Sequence, residues 1–201
     1  SGMTLSNAPV LDGRRLITPA GQTIAQPTLN GSLNMQNGAV LQKDGTYDSQ
    51  NDNAMQWTGS GAIGILENSG TYKKSGGAGN STFSVTVNNT GTIQAQTGTI
   101  LWNRDMTSTG SVTAASGATL LFGSGAHTLN PAPTISAGAT LRVNGQTVTF
   151  GSGYNPAGAT EQNGGTLTLN GTPNVLASLA HVDGVLTGAK DIPVSGAWGW
   201  P

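Results

Sequence analysis

The stretch SGATLLFGSG, residues 116–125, returns almost unchanged as AGATLRVNGQ at residues 137–146. Both carry Gly-Ala-Thr-Leu, then one residue, then Phe122 or Val143. A chain that repeats a phrase at a fixed offset is restricted to folds in which equivalent segments meet equivalent surroundings. Followed in both directions, two apolar residues flanking a single position recur as Ile63/Ile65, Phe83/Val85, Ile100/Trp102, Leu120/Phe122, Leu141/Val143 and Leu167/Leu169. Successive pairs lie 17 to 26 residues apart. A glycine precedes each (Gly61, Gly79, Gly98, Gly117, Gly138, Gly165), and from Phe83 onward a threonine stands just before the first apolar member. Val40, after Gly38-Ala39, reads as an earlier copy interrupted at its second apolar position by Gln42.

Period-two spacing places both apolar side chains on one strand face and the threonine on the other. A second phrase interleaves with the first: NSGTY at 68–72, NTGTI at 89–93 and STGSV at 108–112. Short strands joined by Gly-rich corners therefore recur about every 20 residues, too closely for strand–helix–strand units of about 30 residues. No 3.6-residue stripe supports leucine-rich or helical repeats. An antiparallel sandwich would space its hairpins about 8–12 residues apart and would not produce ladders of like residues. The expectation is an all-β fold, a single-stranded parallel β-helix (β-solenoid) of about eight coils, each about 4.8 Å above the last. Its inward ladders would be Ile63-Phe83-Ile100-Leu120-Leu141-Leu167 and Ile65-Val85-Trp102-Phe122-Val143-Leu169, with the threonines outward.

Residues 1–27 carry Pro9, Pro19 and Pro27 and no clear copy of the phrase, which suggests an N-terminal cap or irregular coil. Residues 28–201 form the repeat region. Leu186–Gly188 and Ile192–Trp198 read as one more, imperfect coil, and the natural chain is expected to continue beyond Pro201. Ser1-Gly2-Met3 reads as a cloning remnant ahead of a native start.

Charged residues are only 8% of the 201, and the net charge is −1. Nucleic-acid binding needs a clustered basic face, and Arg14-Arg15 and Lys73-Lys74 are isolated pairs. No apolar run is long enough to span a membrane. Cysteine is absent, which removes disulfides and thiolate metal sites.

The segments ENSGTYKKSGGAGNSTFSV, VNNTGTIQAQTGTILW, LNPAPTISAGATLRV and LTGAKDIPVSGAWGW resemble the Gly/Thr/Asn-rich repeats of large bacterial secreted surface proteins of the filamentous-haemagglutinin and autotransporter-passenger type. The resemblance implies a right-handed β-helix exported to the cell surface as stalk, adhesin or matrix component. That family has no common catalytic residues to carry over.

Glycoside chemistry needs two carboxylates at a defined separation. Asp48 and Glu67, 19 apart, or Asp44 and Glu67, 23 apart, could lie side by side one coil on. The nine acids do not follow one ladder phase, so they read instead as polar corner residues. DGTYDSQNDN, residues 44–53, gathers hard oxygen ligands that would suit calcium, although turn formation by Asp and Asn explains it more simply. His127 and His181 have no acid or histidine at ligand spacing. Gly123-Ser124-Gly125 and Gly151-Ser152-Gly153 lack the flanks of a nucleophile elbow. Asn-x-Ser/Thr triplets at Asn30, Asn80, Asn88 and Asn170 arise by composition. Trp57, Trp198, Trp200, Tyr47 and Tyr154 lie outside the ladders and are expected to pack under loops rather than to stack on sugars.

The reading is a non-catalytic structural or adhesive module of an extracellular, cell-surface protein. No catalytic, cofactor-binding or metal residue is assigned, and no cofactor is expected. Its partners would be a surface polysaccharide or another cell-surface protein, with no nucleic acid and no membrane insertion by this segment. The alternative is a carbohydrate-binding or carbohydrate-active β-helix of the tailspike or lyase kind. An ice-binding array would need Thr-x-Thr on every coil, and the residues two positions after Thr119, Thr140 and Thr166 are Leu121, Arg142 and Thr168.

Overall fold

The computed structural model describes residues 3–4, 7–26 and 31–200, and all its regular structure is β. Every inter-strand pairing is parallel, and each strand pairs with its counterpart one coil away. The chain is a parallel β-solenoid with three strand-bearing faces. The first face stacks Thr23–Gln26, Thr46–Ser49, Thr71–Lys74, Thr92–Ala95, Ser111–Ala114 and Thr134–Ile135. The second begins at Arg15–Thr18 and Val40–Lys43 and continues through Ile65–Asn68, Thr86–Asn89, Met106–Ser108, Ala126–Leu129 and Thr147–Phe150. Its last two rungs are the C-terminal halves of Ala159–Leu169 and Ser178–Gly188, which makes nine rungs where eight coils were expected. The third face runs from Val10–Asp12 through Thr99–Trp102, Thr119–Phe122 and Thr140–Val143 to Trp198–Gly199. Among the described residues no helix is long and apolar enough to cross a membrane.

The repeated phrase is a corner followed by a strand. Ala118 N–H donates to Ala115 C=O and Ala139 N–H to Ser136 C=O, both at 2.9 Å. The third residue of each turn, Gly117 or Gly138, has φ of 82° or 77°, a value that type II turns reserve for glycine. Ala118 and Ala139 are then buried, and Thr-Leu-x-Phe or Thr-Leu-x-Val follows in register. The second phrase stacks as expected, Tyr72 on Ile93 on Val112. Its glycines form a column in which a Cβ on Gly91 would strike the Gly70 carbonyl.

The inward ladders hold in their middle and change at their ends. Ile100, Leu120 and Leu141 stack, as do Trp102, Phe122 and Val143, all fully buried. Phe83, expected over Ile100, lies instead over Trp102, with Ser81 over Ile100. Leu167 and Leu169 belong to the second face, against Val148 and Phe150. Ile65 is half-buried and Leu66 takes the inward place against Val87, so the expected phase there is inverted. At the earlier copy, likewise, Leu41 points in while Val40 and Gln42 are outward. The threonines Thr99, Thr119 and Thr140 form an outward, half-buried column, whereas Thr82 faces Leu101 and Thr166 faces Thr147. Residues 10–26 contribute a strand to each face, paired with the following coil.

A line of rings runs up the core. Tyr47 stacks on Tyr72, Tyr72 meets Phe83 edge-on, and Phe83, Trp102 and Phe122 continue at centroid spacings of 4.8 to 5.9 Å. Such contacts add about 0.5–1.5 kcal/mol each beyond area burial.

Candidate functional site

The polar groove on the second face is where the sequence candidates converge. Gln42, Glu67 and Asn88 form one outward column, and Asp44, Ser69 and Thr90 follow it just past the strand ends. Together they line a cavity of about 320 Å³. Arg15 bridges the column: its Nη1 donates to Gln42 Oε1 at 2.6 Å and to Glu67 Oε2 at 3.0 Å. Gln42 Nε2 donates to Asp44 Oδ2 at 3.0 Å, and Ser69 Oγ donates to Asp44 Oδ1 at 2.5 Å. The Ser69 and Gln42 hydrogen bonds hold the Asp44 carboxyl below the usual carboxylate range. A general acid at neutral pH requires the opposite shift.

Asp44 and Glu67 therefore share one groove, but each carboxylate is engaged by neighbouring coils. Asp48 does not join them. It lies on the first face, where it pairs with Lys73 at 3.2 Å and accepts from Gln50 and Ser75. Asp52 is drawn to Lys74 at 2.7 Å and to the Gly79 N–H at 3.0 Å. Strand Thr46–Ser49 thus separates Asp44 and Asp52, and Asn51 Nδ2 turns to the Gln26 carbonyl. The DGTYDSQNDN oxygens serve separate cross-coil contacts, and no three His, Cys, Asp or Glu side chains gather to hold a metal ion among the described residues.

The histidines are far apart in the stack. His127 is buried between Met106 and Val148; Nε2 donates to the Ser124 carbonyl at 3.1 Å, and Nδ1 has no partner. Burial pushes its pKa down to about 4. His181 lies in the penultimate rung of the third face, edge-on to Trp200 at 5.3 Å. Ser124 Oγ donates to the Asn103 carbonyl, while Ser152 Oγ accepts from Ala132 N–H, so both are corner braces. Asn80, Asn88 and Asn170 are exposed; Asn30 lies outside the described residues, as do Ser1 and Gly2.

Of the aromatics set apart in the sequence, Tyr47 and Tyr154 are buried, their hydroxyls bonded to Gln26 and Thr160. Trp57 is partly buried beneath the Arg104 guanidinium. Trp198 and Trp200 are exposed, edge to face, and line an apolar cavity of about 660 Å³ at the last coil. Period-two reading alone pointed to neither that cavity nor the polar inward column Thr18, Lys43, Asn68, Asn89, Ser108. The signal for Lys43 was its place two residues after Leu41, on the same strand face.

One Thr-x-Thr array does occur, though not at Thr119 and Thr140. On the second face Thr107, Thr128, Thr149, Thr168 and Thr187 form one column, and the position two residues earlier is Thr147 or Thr166 on two rungs only. The chain matches no family model, no curated protein and no solved structure.

Proposed function

We propose that this chain is a rigid, non-catalytic structural or adhesive module of a large secreted bacterial surface protein. The observation that carries the reading is the use made of the charged groups. Arg15 with Glu67, Lys73 with Asp48, Lys74 with Asp52 and Arg142 with Glu161 each tie one coil to another. Carboxylates held this way brace a rod. The secreted, cell-surface part of the proposal rests on the resemblance of the Gly/Thr/Asn-rich segments alone. Incubating the purified chain with a panel of bacterial surface polysaccharides tests the non-enzymatic part. No change in polymer length is expected, and time-dependent depolymerisation of any of them would overturn it.

A second reading has one observation behind it. The Gln42–Glu67–Asn88 column, flanked by Asp44, Ser69 and Thr90, offers amide, carboxylate and hydroxyl groups in rows about 4.8 Å apart, a pattern that can hydrogen-bond sugar hydroxyls. Glycan-array binding that is abolished in Glu67→Ala and Asn88→Ala would favour a carbohydrate-binding module. Binding unchanged in both variants would remove the groove from consideration.

A further inference from the structure

In an Asn-Gly dipeptide the backbone nitrogen of the glycine can attack the asparagine side chain, because no Cβ on the glycine blocks the approach. Two such dipeptides and an Asp-Gly stack at the corner between the third and second faces: Asn144-Gly145, Asn163-Gly164 and Asp183-Gly184. Asn163 pairs in register with Asp183, and its Nδ2 donates to Asn144 Oδ1 at 3.1 Å. Asn144 is exposed, and the Gly145 N–H donates to no acceptor among the described residues. Asn37-Gly38 is the same dipeptide at the same corner of an earlier coil, and Asn37 is exposed too, but its reacting groups are tied down. The Gly38 N–H donates to the Ala62 carbonyl at 2.8 Å, and Asn37 Nδ2 donates to Asp12 Oδ1 at 2.6 Å. Asn170-Gly171 stands between the two. Asn170 is exposed, and among the described residues the Gly171 N–H has no acceptor and the Asn170 amide oxygen no donor.

We propose that Asn144 is a self-modifying site, converted in the folded protein to aspartate and isoaspartate, with Asn163 assisting the step. Hydroxide takes the Gly145 amide proton, the nitrogen bonds to Asn144 Cγ, and the carbonyl electron pair moves onto Oδ1. Asn163 Nδ2 already donates to that oxygen, so it stabilises the charge that develops there. The electron pair then returns, the Cγ–Nδ2 bond breaks, and the nitrogen leaves as ammonia with a proton taken from water, which restores the hydroxide. Water opens the five-membered imide at either carbonyl, giving aspartate from one side and isoaspartate from the other. Only water is consumed and only ammonia is released. The aspartate product keeps an oxygen that accepts from Asn163. The isoaspartate product instead inserts one extra carbon into the backbone of the corner, just ahead of strand Thr147–Phe150, which is in register with the coils on both sides of it.

The test is peptide mapping by mass spectrometry on the whole chain held in mildly alkaline buffer, folded or unfolded in guanidinium, with aspartate and isoaspartate quantified at Asn37, Asn144 and Asn170. In the folded chain Asn144 is expected to convert several-fold faster than Asn170, while Asn37 stays intact; in guanidinium the three rates should converge. Asn163→Ala removes the donor at an exposed position and is expected to slow Asn144 to the pace of Asn170, whose own rate serves as an internal clock and should not change. Equal conversion of Asn37 and Asn144 in the folded chain would overturn the inference. So would an Asn144 rate that Asn163→Ala leaves unchanged while Asn170 holds steady. The comparison of Asn37 with Asn144 needs no variant, so it decides the matter even where Asn163→Ala opens the corner.

Discussion

Replacing Lys43 with methionine should stabilise the protein and remove a pH dependence that the wild type carries. Lys43 is fully buried on the inward side of the second face, between Thr18 and Asn68. Its Nζ donates to the Gly45 carbonyl at 2.9 Å, and desolvation pulls its pKa from 10.5 to about 7. Because the folded-state value is the lower one, the unfolded chain binds the proton more tightly between about pH 7 and pH 10.5. Stability therefore rises with pH across that window, and the penalty is complete below it. At about 1.4 kcal/mol per pH unit, the gain from pH 7 to pH 9 is about 2 kcal/mol, and the cost remaining at pH 7 is about 4 kcal/mol. Methionine fills a similar volume, and the Gly45 carbonyl keeps the Thr71 N–H at 2.9 Å, so no acceptor is orphaned. Exchanging buried ions for apolar side chains typically gains about 1–4 kcal/mol. Urea titrations of both proteins at pH 7 and pH 9 measure the difference directly. If Lys43→Met is less stable at pH 7, or if the wild-type advantage from raising the pH persists in the variant, the account of Lys43 as a neutralised core lysine is wrong.

Leu120→Asp places a charge between Ile100 and Leu141 and should cost several kcal/mol, whereas Thr119→Asp, in the outward column, should cost little; melts in which that order is reversed would invert the strand phase. His127 must stay neutral in the fold, so stability should fall as pH drops from about 6.5 toward about 4; His127→Leu should flatten that limb in acid titrations followed by circular dichroism. Gly91→Ala drives a methyl into the Gly70 carbonyl and should destabilise by about 3 kcal/mol or more, read as a shift in urea midpoint, while Thr90→Ala, at an exposed position beside it, should move it far less.

The architecture was legible where sequence and register share a cause. Gly117 and Gly138 mark identical turns, so the strands after them enter in phase, and Leu120 and Leu141 fall where the phrase puts them. The phase inverted at Ile65, and Leu167, though inward as expected, sits on another face, because a coil has three faces and an apolar doublet does not say which face it belongs to. Nothing in the doublet shows that Leu66, not Ile65, meets Val87. The inward polar column was invisible for another reason. Asn68 Nδ2 donates to Asn89 Oδ1 at 2.6 Å and Asn89 Nδ2 to Ser108 Oγ at 2.9 Å, so stacked polar side chains bond to one another inside the core, with Asn68 Oδ1 left without a partner among the described residues. A hydrophobic template reads such residues as exposed. Of the groove, the composition of the acids was readable, but the partition of Asp44 and Asp48 onto different faces depends on the bend at Asp44–Gly45 between strands Val40–Lys43 and Thr46–Ser49.

The direction of the hydrogen bonds has a mechanical consequence. Those joining coil to coil lie along the rod, so tension applied at its two ends loads them in series rather than in shear. The end coil, supported on one side, should detach first and leave its neighbour in the same exposed position. Each detachment frees the 19 to 28 residues that separate paired strand positions, or about 60–100 Å of extended chain at about 3.3–3.6 Å per residue, in place of a rise of about 4.8 Å. A rod built this way should keep its length under light load and release slack one coil at a time under heavy load.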